Sequence, residues 1–173
     1  DKRDLKVSKL LPALLRYETI FRAERDADPQ SVTVADNWAV YFLQQTFKDA
    51  KNGMQVCESS LCHTLGWFLA MYDTEEKQLC NYLEDLMDYR TDGLLPDGVN
   101  LQYLLTQCKR FERRRGMVHV YLLTNQEQTA IECALGIDLE LAKMVAKTAS
   151  TDTLKKKLWL VVAGQVVKEE VHA

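Results

Sequence analysis

The chain has 173 residues, a length that sets a prior of one domain, and 47% of them are hydrophobic, enough for a sizeable core. Its 22 basic and 25 acidic residues leave a net charge of −3, whereas a dedicated nucleic-acid binder carries a strongly basic balance. Five cysteines, scattered through apolar stretches, are not the pattern of a disulfide framework and fit a reducing, cytosolic compartment. There is no signal-peptide pattern and no apolar run near the roughly 20 residues that span a bilayer, so any membrane role is expected to be peripheral. The chain opens on Asp1 with no initiator methionine, and the expectation is a piece of a longer protein.

Only three prolines and seven glycines punctuate the sequence, and the long spans between them favour helices. An opening segment over about 5–26 is expected to be partly helical and interrupted by Pro12. A helix follows at 33–51, introduced by the capping-box pattern Thr33-x-x-Asp36 and striped by Ala39, Phe42, Leu43 and Phe47. The next, 56–71, places Leu61, Leu65, Phe68 and Leu69 on one face, a stripe that Tyr72 continues. Its stretch "CESSLCHTL" holds Cys57, Cys62 and His63, but a zinc site needs a second close ligand pair, so Cys62 reads as core. Asp73-x-x-Glu76 offers another capping pair before a helix at 75–91, where Leu79, Tyr82, Leu83, Leu86 and Met87 recur at helical spacing. Leu101, Leu104, Leu105 and Cys108 stripe a helix at 98–110. "MVHVYLL" is β-branched enough to suggest a strand, yet a lone strand would have no sheet to join. It reads as a short helix over 114–123, with Val118, Tyr121 and Leu122 on one face. Helices at 126–135, opened by Thr124-x-x-Glu127, at 138–148 and at 152–169 complete the map. The last carries Trp159, Val162, Ala163 and Val166 on its predicted apolar face. Gly53, Gly93 and Gly98 are expected to mark stops.

Short connections imply antiparallel helical hairpins. Nearly every helix is amphipathic and lengths vary, which favours an irregular stack over a compact bundle. The expected fold is therefore an all-α, irregular α-solenoid, with residues 1–173 forming one segment.

Chemistry is sparse. There is no nucleophile elbow, no Gly-rich phosphate loop and no acid–base motif in a defined context, so no catalytic role, metal or cofactor is assigned to this segment. His119, between Val118 and Val120, reads as a hydrogen-bonded helical histidine. Trp38, Trp67 and Trp159 read as core. The basic run Lys109, Arg110, Arg113, Arg114 and Arg115 falls between two predicted helices. The helix dipole accounts for Lys109 and Arg110. The three further arginines read as solvated or paired with the acidic "LEDLMD" surface at 83–88; the five together are a possible patch for an acidic partner protein. Acidic lipid or nucleic acid is the remaining alternative. The residues alone thus describe a non-enzymatic, helical-repeat interaction module.

The C-terminal third carries a resemblance. "VHVYLL", "AIECALGIDLELAK" and "LKKKLWLVVAGQVVKEE", in this order, are similar to the clathrin-heavy-chain-repeat region of the class C vacuolar protein sorting 18 (deep-orange-type) family. Val118, His119 and Tyr121 match its first block, and Ala130, Ala134 and Leu135 its second. Asp138, Leu141, Ala142 and Lys143 match the third; Lys156, Lys157, Leu158, Trp159, Leu160, Ala163 and Val167 match the last. "KLLPALLRY" and "EEKQLCNYLED" match more loosely, while "NQEQTAIE" departs from the family's aromatic-acidic helix start. The matching positions are packing positions, so no binding residue is carried over. The resemblance implies a scaffold segment of the core shared by the HOPS and CORVET tethers, which bridge endosomal, vacuolar or lysosomal membranes before fusion. It implies other class C, HOPS and CORVET subunits as partners, SNARE proteins indirectly and no nucleic acid. It further implies cytoplasmic placement, peripheral on late endosomes or the vacuole (lysosome), with membrane association only through the complex. The family's β-propeller and zinc-binding RING would lie outside this segment. Another helical-repeat coat or adaptor protein is the alternative.

Overall fold

The computed structural model describes residues 9, 10, 12–14, 16, 17 and 37–172. Every described residue between 9 and 17 is helical, including Pro12, which was expected to interrupt the segment. Eight further helices follow: α1 (Trp38–Asn52), α2 (Ser59–Tyr72), α3 (Lys77–Thr91), α4 (Leu101–Arg110), α5 (Arg114–Leu123), α6 (Glu127–Leu135), α7 (Leu139–Lys147) and α8 (Asp152–His172). No strand occurs among the described residues, and "MVHVYLL" is helical within α5. None of the described helices is long and apolar enough to cross a membrane.

The helix boundaries follow local chemistry. The side chain of Asn37 accepts the Val40 amide to start α1, so this helix begins at Trp38 rather than 33. The predicted Thr33–Asp36 box lies outside the described residues. Asn100 caps α4 through the Tyr103 amide, and Asp138 caps α7 through the Glu140 amide. Two predicted caps work differently. Thr124 closes α5 instead of opening α6: its hydroxyl donates to the carbonyls of Val120 and Tyr121, a bond available to a threonine at a helix C-terminus. Asp73 and Glu76 do not pair reciprocally. Buried Asp73 accepts the Leu79 amide, whereas Glu76 reaches across to accept the Gly116 amide of α5. Gly53 and Gly93 follow helix ends, but Gly98 lies in the turn before α4. Gly93 has a φ of 73° and provides the left-handed turn after α3.

Each helix packs on its neighbours one or two places along the chain. The substantial pairs are α1 with α2; α2 with α3 and α4; α3 with α5; α4 with α5; α5 with α6; α6 with α7 and α8; and α7 with α8. This nearest-neighbour pattern is that of an α-solenoid, in which each unit covers the apolar face of the one before. Two cores result. Leu43, Phe47, Leu65, Phe68, Leu83 and Leu86 belong to the first; Ile131, Ala142, Val145, Leu158 and Val162 belong to the second. Helix α5 serves both, giving Val120 and Leu123 to the first and Val118 to the second.

Two glycines set close helix approaches. A Cβ on Gly66 would lie 2.4 Å from Leu104 Cδ2, where α2 meets α4. One on Gly116 would lie 2.9 Å from Leu79 Cδ2 and 3.0 Å from Cys108 Sγ, where α5 meets α3 and α4. The predicted stripes in α2, α3 and α4 are largely buried. That of α8 is rotated: Leu158 and Val162 are its buried pair, Trp159 and Val166 are half-buried and Ala163 is exposed. None of the three tryptophans is fully buried, and Trp38 stands 57% exposed, stacked on Phe42.

Candidate interaction surface

The basic run occupies the turn between α4 and α5. Glu112 turns the chain with a φ of 59°, and the Arg113 amide bonds back to the Cys108 carbonyl at 2.7 Å. A helix leaves its last four carbonyls without intrahelical donors. In α2 these are Leu69, Ala70, Met71 and Tyr72. Leu69 receives the Asp73 amide and Tyr72 the Thr74 amide. Arg113 supplies the rest: Nε donates to Ala70 O at 2.6 Å and Nη2 to Met71 O at 3.2 Å. The planar guanidinium fork suits two adjacent carbonyls, and its charge sits at the negative end of the helix dipole.

Arg114 and Arg115 reach the other way. Arg114 Nη2 donates to Gly136 O at 3.3 Å, at the end of α6. Arg115 Nη2 lies 3.3 Å from Asp138 Oδ2, the cap of α7. Three consecutive arginines therefore tie α5 back to α2 and forward to the α6–α7 turn. They do not pair with the acidic 83–88 surface as expected; Asp85 and Asp88 instead meet Lys51 at 2.8 and 3.6 Å. The Asp85 bond and the two carboxylate charges push the Lys51 pKa up. Lys109 and Arg110 are exposed in the last turn of α4, with the Arg110 guanidinium 5.1 Å from the centre of the Phe111 ring.

The candidate thiols and imidazoles are dispersed. Cys57 and Cys62 are buried with sulfurs 3.4 Å apart, and Tyr82 donates to the Cys62 carbonyl. The hydrogen bond with Cys62 draws the Cys57 pKa down, while the same contact and burial push Cys62 up. His63 turns away and accepts the Asn100 amide at 2.7 Å. Burial raises Cys80 and Cys108 to about 12, values unsuited to thiolate chemistry. Among the described residues no group of three or more His, Cys, Asp or Glu side chains is placed to hold a metal. His119 is helical and 7% exposed, but it makes no hydrogen bond with the described residues, contrary to expectation. Burial, with the Arg115 charge nearby, holds its pKa down at about 4.

The sequence marked Asp73 and Glu76 as a capping pair and Asp138 as an aspartate directly before an apolar helical stripe, but it did not show that Glu76 takes the Gly116 amide of α5 or that Asp138 meets Arg115.

Comparison with known families decides the assignment. The family model described as "VPS18, alpha-solenoid domain, second half" matches residues 1–167. The chain belongs to the VPS18 α-solenoid family. Among VPS18 relatives, it is 43% identical over 73 residues to Vacuolar sorting protein 18 of Arabidopsis thaliana, covering 42% of this chain and 7% of that protein. It is 32% identical over 111 residues to Vacuolar protein sorting-associated protein 18 homolog of Danio rerio, covering 57% of this chain and 11% of that protein. The chain thus spans a small part of these VPS18 relatives. No solved structure matches it.

Proposed function

We propose that this segment is a non-catalytic scaffold of a class C vacuolar protein sorting subunit. In that role it supports HOPS- and CORVET-type tethering and fusion of endosomal, vacuolar or lysosomal membranes. The observation that carries the reading is the family match over residues 1–167, on a chain whose helices pack as a nearest-neighbour stack. Such a stack holds distant partner sites at a set separation and offers long side surfaces. Its partners are other class C, HOPS and CORVET subunits, with SNARE proteins reached through the complex. Its location is the cytoplasmic side of late endosomes and the vacuole or lysosome, peripherally. Within the basic run, contact with an acidic partner protein falls to Lys109 and Arg110. Arg113, Arg114 and Arg115 hold neighbouring helices.

The test is affinity purification of the full-length protein from native cytosol, with mass spectrometry of what is retained at moderate salt. Co-purification of class C core subunits, lost when residues 37–172 are replaced by an unrelated helical stack of similar length, supports the reading. Retention of the same subunits after replacement refutes it. Selective recovery of nucleic acid or anionic lipid, with affinity falling steeply with salt, would favour the basic-arm reading instead.

A further inference from the structure

A groove of about 590 Å³ runs along one side of the stack, between α3 on one wall and the ends of α6 and α7 on the other, with α5 as its floor. Its apolar lining comes from Leu83, Met87, Leu122 and Met144. Met87, Leu122 and Met144 are only half-buried. Methionine is unbranched and polarisable, and it adapts to incoming side chains better than a branched residue. The charged residues of the lining are all acidic: Glu84, Asp88 and Glu127. Glu84 and Asp88 are exposed, and Lys51 approaches Asp88 no closer than 3.6 Å. The groove also reaches His119, a buried imidazole with no hydrogen-bond partner among the described residues. Held neutral, that ring offers one donor and one acceptor to an occupant.

We propose that this groove docks a basic amphipathic helix of a partner protein. Apolar side chains of that helix seat on Leu83, Met87, Leu122 and Met144, its lysines or arginines face Glu84, Asp88 and Glu127, and a polar side chain reaches His119. Charge complementarity selects this occupant: three carboxylates around an apolar floor favour cations and repel an acidic segment. An apolar stripe flanked by cations is what an amphipathic helix presents. The proposal requires a protein partner and stands whichever complex the chain serves.

The test places the photo-crosslinking residue p-benzoylphenylalanine at Met87 in the full-length protein in cells, with the exposed Gln102 of α4 as the control position. After irradiation, the adducts are sequenced by mass spectrometry. The expected product is a protein peptide with an apolar stripe and at least two flanking lysines or arginines. Its yield is expected to fall at least tenfold in Glu84→Lys/Asp88→Lys and in Glu84→Lys/Glu127→Lys, and to be unchanged in Glu169→Lys/Glu170→Lys, two exposed carboxylates of α8. Circular dichroism confirms that each variant keeps its helices and melting temperature. A yield no higher than at Gln102, an acidic or neutral peptide, a lipid or nucleic-acid adduct, or a second copy of this chain as the partner each overturns the proposal. So does a yield that survives both groove reversals.

Discussion

Replacing Arg113 by methionine keeps a long unbranched chain and removes the fork that closes α2. Two charge-assisted bonds, at 2.6 and 3.2 Å, are lost together. Hydrogen bonds from charged groups contribute about 1.5–3 kcal/mol each, and water entering a partly opened junction recovers some of this. The expected loss is about 3 kcal/mol, which for a chain of this size lowers Tm by about 6–12 °C. Arg113→Lys, a single point donor, should lose about half as much. Arg110→Met is the control. It removes an exposed cation beside Phe111 and should cost less than about 1 kcal/mol. Thermal and urea unfolding followed by circular dichroism reads all three. The Arg113 effect should persist in high salt, because its acceptors are carbonyls rather than exposed carboxylates. An Arg113→Met protein within about 0.5 kcal/mol of the parent, or equal losses at positions 110 and 113, would refute the closing role.

His119 should make the fold acid-sensitive. Its pKa is about 4 in the folded chain against an ordinary 6.5, so the unfolded chain binds the extra proton and stability falls as pH drops from about 6.5 to 4. The imidazole's share approaches about 3 kcal/mol at the lower limit, and His119→Gln should remove that share from a pH series of urea midpoints. Gly66→Ala should destabilise the parent by about 1–3 kcal/mol, because its Cβ meets Leu104 Cδ2 at 2.4 Å. In a Leu104→Ala background the same change should become neutral or favourable, a sign reversal that unfolding measurements on the double-mutant cycle will reveal.

The order of the helices was readable because each carries its own period, and mostly short turns separate them. Leu61, Leu65, Phe68 and Leu69 declare a buried face in one dimension, and that face is buried in three. The partners of the arginines were not readable. Arg113 reaches carbonyls 42 and 43 residues away, and backbone acceptors have no letter in the sequence. Thr124-x-x-Glu127 was misread because threonine can serve the end of one helix as well as the start of the next. The α8 face was misread because apolar residues lie all round that helix, with Leu160, Val167 and Val171 exposed, so its sequence does not mark Leu158 and Val162 as the pair that is covered. His119 looked ordinary between two valines, and only the packing around α5 makes it a buried imidazole with no hydrogen-bond partner among the described residues.

Helix α5 gives Val118 to one core and Val120 and Leu123 to the other, from ten residues. It therefore acts as a mechanical coupling. A load on the C-terminal helices reaches the N-terminal ones chiefly by rotating or sliding this short cylinder, with Gly116 set flush against Leu79 and Cys108. Arg113, Arg114 and Arg115, all at its N-terminal end, resist that movement by holding α2 on one side and the α6–α7 turn on the other. The stiffness of the stack, and hence how faithfully it transmits a pull from one end to the other, is concentrated in this short helix and the arginines at its start.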